Sequence, residues 1–140
     1  MKIRTFLDTG VLIAACQSNT AFGIAALSLL DDPQRAFVAS LLLKLELLPQ
    51  PTFHQRQDEV EFYQAFFDTV SLWQPMNDQL VLDAMHEASQ HTLSAMDALH
   101  VVTARNLHAV EFITTEKPDK PIYQIQSPKI ISLSSLPLPT

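Results

Sequence analysis

Disulfide chemistry is closed to this chain: its 140 residues hold one cysteine, Cys16, and no Cys/His pairs stand at zinc-site spacing. A lone thiol suits a reducing compartment. Glycine is almost as scarce, with only Gly10 and Gly23, and the nine prolines gather mostly towards the C-terminal end. That pattern argues against a turn-rich all-β fold and for a helical or α/β one. Basic charge is short too, nine Lys and Arg against fifteen Asp and Glu, for a formal net charge of −6. Affinity for nucleic acid normally comes from Lys and Arg, so the balance counts against a nucleic-acid binder. It counts only weakly, because four acids neutralised by divalent ions would leave the remainder mildly acidic.

Long hydrophobic runs are missing as well, and none approaches the roughly 18 residues of a membrane span. Lys2 and Arg4 precede apolar residues, and "VLIAAC" resembles a lipoprotein cleavage box ending at Cys16. A signal peptide needs roughly 7–15 uninterrupted apolar residues, whereas Asp8 leaves only "VLIAA" before the cysteine. The expectation is a soluble, cytoplasmic protein with no membrane partner.

Against these absences, hydrophobic residues fill 47% of positions, enough for one compact domain with a real core. Residues 1–140 read as a single domain with a proline-rich end from about 133. "IRTFL" reads as a buried strand followed by a helix in "TGVLIAAC", and "TAFGIAALSLLDDP" as a helix stopped by Pro33. "RAFVAS" is a second strand, and "SLLLKLELLP" a helix capped by Ser40 and ended by Pro49. Helical periodicity continues from Thr52 to Val70. "SLWQP" is a short strand; "NDQLVLDAMHEASQ" is a helix with Leu80, Val81, Ala84, Met85 and Ala88 on one face; "SAMDALHVVTARNL" is another helix. "AVEFIT", the loop "TEKPDKP" and the strand "KIISL" complete the chain. Strands alternating with helices imply an α/β fold, a central, mostly parallel sheet of four to five strands covered on both faces.

Ligand groups in such sheets gather beyond the carboxyl ends of the strands. Asp8 directly follows the first strand, Glu46 and Asp97 lie on apolar helices, and Glu116 follows "EFIT". Each has a plain structural alternative: Asp8 as a helix cap, Glu46 on a solvated face, Asp97 in a capping box with Ser94, Glu116 in a charged loop. Three of them nevertheless sit in apolar surroundings with few basic partners, in "TFLDTGVLI", "LLLKLELL" and "AMDALHVV". Buried carboxylates are costly unless paired or neutralised, and a hard divalent cation, Mg²⁺ or Mn²⁺, is the natural compensation. A phosphoaspartyl enzyme built on Asp8 would need a second Asp where Gly10 stands.

With "FLDTGVLIA", "LLLKLELL", "DALHVVTA" and "FITTE" in that order, the chain resembles the PIN domain family, the fold of the VapC-type ribonuclease toxins of bacterial toxin–antitoxin pairs. The resemblance spans nearly the whole chain and implies a PIN-like three-layer sandwich. It implies Asp8, Glu46, Asp97 and Glu116 as catalytic carboxylates holding one or two Mg²⁺ or Mn²⁺ ions. Endonucleolytic cleavage of single-stranded RNA by activated water would leave 5′-phosphate and 3′-hydroxyl ends, and an antitoxin would be the protein partner. Thr9, Thr114 and His100 are expected to support the site, His100 being otherwise a packed core residue. Lys117 and Lys120 are candidate RNA contacts, with solvated loop charge as the alternative. Two departures stand out. Gly10 replaces the family's frequent Asn or Ser, and the fourth acid is Glu116 rather than Asp, with Asp119 as a competing ligand. A catalytically weakened PIN-like module that binds RNA or protein is the alternative they raise. The aromatics Phe62, Tyr63, Phe66, Phe67 and Trp73 are too many for one side of a helix, so a homodimer is also expected.

Overall fold

The structure, a computed structural model, describes residues 1–137. Residues 138–140, at the tip of the proline-rich end, lie outside the described residues. Five parallel strands form one sheet in the order β3-β2-β1-β4-β5. They are β1 (Ile3–Leu7), β2 (Arg35–Ser40), β3 (Leu72–Gln74), β4 (Glu111–Thr114) and β5 (Lys129–Ser132). The helices between them are α1 (Thr9–Gln17), α2 (Ala21–Leu30), α3 (Leu41–Leu47), α4 (Pro49–Phe53), α5 (Gln57–Thr69), α6 (Asp78–His91) and α7 (Ala95–Asn106).

Local chemistry starts these helices where polar caps stand. Ser40 accepts from Leu42 N–H at the start of α3, Asn77 from Leu80 N–H at α6, and Ser94 from Asp97 N–H at α7; each satisfies a first-turn amide without a partner in its own helix. Pro49 both ends α3 and opens α4, where the missing N–H of proline is harmless. The predicted helix from Thr52 to Val70 is in fact two, broken at His54–Arg56, with Gln55 at φ 55°. The stretch read as a cleavage box is core: Val11, Leu12 and Ala15 of α1 are buried. No single helix among the described residues is long and apolar enough to cross a membrane.

Two expectations about faces need correction. On α6, Leu80 and Ala84 are buried, but Val81 and Met85 are 48% and 61% exposed, and the next inward position belongs to Glu87. An acid fits there because Arg105 of α7 takes both its oxygens, at 2.8 and 2.9 Å. The aromatic segment is also covered more by its own chain than expected. Tyr63, Phe66 and Phe67 are buried, and Phe62 and Trp73 pack against the same core, with the Lys44 ammonium 4.9 Å from the Trp73 ring centre. The aromatics are buried or half-buried against the chain's own core, so their number alone does not call for a second copy.

Strand order positions the site. β1 lies between β2 and β4, so consecutive connections leave it in opposite directions, and the ends of β1 and β4 border a crevice at this switch point. At the other end of the sheet, charge is matched. Arg35 pairs with Asp32 and, at 2.7 Å, with buried Glu111, which also accepts from Thr5 at 2.7 Å.

Candidate active site

Asp8 is both cap and site residue. Its Oδ1 accepts from Thr9 N–H at 2.8 Å at the start of α1, while Oδ2 accepts from the Thr114 hydroxyl at 2.9 Å, across the β1–β4 pair. The carboxylate is 8% exposed, so the helix-cap and functional alternatives are met by one side chain using two oxygens. The Thr114 hydroxyl in turn accepts from Glu116 N–H at 3.1 Å, and the Tyr123 hydroxyl donates to the Glu116 carbonyl at 2.7 Å. The chain leaving β4 is thereby tied down on both sides of Glu116. Tyr123 was missed in the sequence, where a tyrosine in a loop carries no signal.

Asp97 occupies the first turn of α7, its N–H capped by Ser94. Burial, and after it the charges of Asp8 and Glu116, push its pKa above the ordinary aspartate value. Three carboxylates thus share one field, and none of the three forms an ion pair with Lys, Arg or His among the described residues. Asp119, the competing fourth acid, lies exposed further along the loop, as do Lys117 and Lys120.

Glu46 is held differently. Its side chain is 28% exposed, and Oε1 alone accepts two hydrogen bonds, from Thr9 Oγ1 at 2.8 Å and His100 Nε2 at 2.6 Å. Burial by itself would raise the Glu46 pKa, but the bonds from His100 and Thr9 outweigh it and hold the acid below its usual range. His100 is 1% exposed and lies against the Phe6 ring at 5.2 Å, and its Nδ1 has no partner. His100 is therefore a packed core residue and a partner of Glu46 at once. Beyond Glu46 a groove opens that Gln17, Gln50, Arg56 and Tyr63 also line.

Among the described residues no three His, Cys, Asp or Glu side chains stand close enough to enclose a metal ion. The donor chemistry of Asp8, Asp97 and Glu116, all hard oxygens under mutual repulsion and without a basic partner, nonetheless suits a hard divalent cation.

Comparison with known proteins agrees with this architecture. The family model for the PIN domain matches residues 5–117. Among solved structures, VapBC-1 from nontypeable Haemophilus influenzae aligns with a TM-score of 0.68 at 19% identity, covering 95% of this chain and 100% of the other. VapBC2 from Rickettsia felis, bound to a DNA fragment from its promoter, gives 0.68 at 14% identity over 93% and 98%. A toxin–antitoxin complex from Klebsiella pneumoniae gives 0.64 at 19% identity over 92% and 97%. No curated protein matches the sequence. From the family match, which takes in β1 through the start of the loop after β4 and all four candidate acids, the chain belongs to the PIN domain family.

Proposed function

We propose that this protein is a metal-dependent endoribonuclease acting on single-stranded RNA, the toxin of a toxin–antitoxin pair. The observation that carries the proposal is the gathering of Asp8, Asp97 and Glu116 at the switch point, none of them in an ion pair among the described residues. Asp8, Asp97 and Glu116 would hold Mg²⁺ or Mn²⁺, and Glu46 would complete the donor set. When bound, such ions supply charge neutralisation for a phosphodiester and activation of water near neutral pH.

The chain's own part is to place donors. Thr114 orients Asp8 by one oxygen, and Thr9 and His100 together orient Glu46 by one oxygen. Lys117, Lys120 and Arg56 are the cations available to RNA phosphates around the acids. The toxin–antitoxin complexes among the similar folds support an antitoxin as the protein partner, and so does exposed apolar surface on α3 and α4, where Leu41, Leu45 and Phe53 are 56%, 66% and 82% exposed. A reducing cytoplasm suits the free thiol of Cys16.

One observation favours a second reading, a catalytically weakened module that binds RNA or protein: Glu46 is already engaged by Thr9 and His100, and no enclosed metal cage is present among the described residues. Cleavage of a single-stranded RNA with Mn²⁺, with and without chelator, separates the two. The nuclease is expected to cut only with metal and to lose cutting in Asp8→Asn. Binding of the same RNA without any metal-dependent cutting would establish the module and end the nuclease proposal.

A further inference from the structure

Gly10 has no positive φ, so backbone freedom does not explain a glycine one residue into α1. Space does. A β-carbon at position 10 would lie 2.1 Å from Thr115 Oγ1, 3.2 Å from its Cβ and 3.3 Å from its Cγ2. Turning Thr115 about χ1 would exchange the hydroxyl for another substituent but leave its Cβ in place, and a β-branched side chain has few rotamers to choose from. A side chain at position 10 therefore requires the Thr115 hydroxyl to turn away and its Cβ to give by a few tenths of an ångström.

Thr115 stands between the two residues on which the site's far wall depends. Thr114 on one side donates to Asp8, and Glu116 on the other has its N–H on Thr114 Oγ1 and its carbonyl on the Tyr123 hydroxyl. We propose that Thr115, seated in the gap that Gly10 leaves in the first turn of α1, is a positioning residue that sets Glu116 against Asp8. It touches no reacting atom. Its action is through Glu116, and in the setting of the proposed nuclease it fixes how closely the two carboxylates approach a shared cation. Deviations of about 1 Å in such a site can reduce a rate on the order of 100-fold.

The test uses the full chain and two measurements, one of which needs neither metal nor RNA. In the metal-free protein, hydrogen exchange at the Glu116 amide reports whether its bond to Thr114 Oγ1 holds, against Phe112 at the centre of β4 as reference. In the second, the Mn²⁺ concentration at half-maximal thermal stabilisation reports the carboxylate cluster. Gly10→Ala is expected to speed exchange at Glu116 by about tenfold or more, with Phe112 unchanged, as local opening does, and to raise the Mn²⁺ midpoint. Thr115→Ala, a truncation the fold tolerates more readily, is expected to loosen Glu116 by a smaller factor. Combining the two should return both quantities close to wild type, because the added methyl occupies the space the removed atoms vacate. Independent structural defects would add rather than cancel. Unchanged exchange at Glu116 in either single variant, or a double variant worse than both, overturns the proposal. If wild type shows no Mn²⁺ response while Glu116 exchange follows the expected pattern, the interlock stands and the metal-dependent function falls.

Discussion

Asp97→Asn is expected to make the metal-free protein more heat-stable, by about 2–4 °C in Tm, and, in the proposed nuclease, to slow metal-dependent RNA cleavage sharply. Both effects come from the same carboxylate. Asp97 is partly buried and faces Asp8 and Glu116, so its negative charge destabilises the fold until a cation neutralises the group. Asparagine keeps the shape and removes the charge. The sign follows from linkage: a carboxyl whose pKa is raised on folding adds stability below its unfolded pKa and loses it as pH rises through the folded value. The Tm difference between Asp97→Asn and wild type should therefore narrow as pH falls from neutrality towards the ordinary aspartate value of 3.8. Differential scanning calorimetry from pH 7 to pH 4, without metal, measures the gap, and adding Mn²⁺ should raise Tm in wild type but not in the variant. A variant less stable than wild type at pH 7 would mean that Asp97 contributes to the fold and is not held there against its own electrostatics.

Glu46→Ala is expected to act oppositely on stability, lowering it by about 2 kcal/mol, as when a buried polar group loses its partner. The cause is His100. With Glu46 gone, an imidazole that is 1% exposed and already lacks a partner at Nδ1 has none at Nε2 either. Leucine at position 100 has no polar atoms and can pack against Phe6, so Glu46→Ala with His100→Leu should recover most of the lost stability while cleavage stays absent. His100→Leu alone should fold well and cleave poorly, because Glu46 then keeps only its bond from Thr9. Urea unfolding of the three variants measures these differences. Full activity in His100→Leu would show that Glu46 needs no orientation from the imidazole.

Elements that depend on near neighbours in the chain could be read from the sequence. The apolar run "IRTFL", the caps at Ser40 and Ser94, and Pro49 each act within a few residues, and all are where the residue chemistry places them. The positions of Asp8 and Glu116 at strand ends were legible for the same reason. Pairings across the chain were not. Nothing near Glu46 announces that His100 will bond to it from 54 positions away, and the apolar surroundings of "LLLKLELL" suggested a carboxylate without a partner. Glu87 disguised the buried stripe of α6 because Arg105, which makes an acid acceptable there, lies 18 positions on. Gly10 was noticed as a missing polar side chain, whereas its significance is the space that Thr115 takes.

The pairing of β1 with β4 sets a schedule for a chain emerging from a ribosome. Asp8 is made well before the hydroxyl that holds it, which belongs to Thr114, 106 positions later. When residues 1–110 have been synthesised, Asp8, Glu46, Asp97 and His100 all exist, but β4 does not, and one edge of β1 has no neighbour. Contacts this distant in sequence close late, because a long loop must be ordered before they form, and growing chains fold from the N-terminus first. Glu116 arrives only with this final closure. An unfinished polypeptide, or one cut short before β4, thus carries most of the acids without the strand that gathers them.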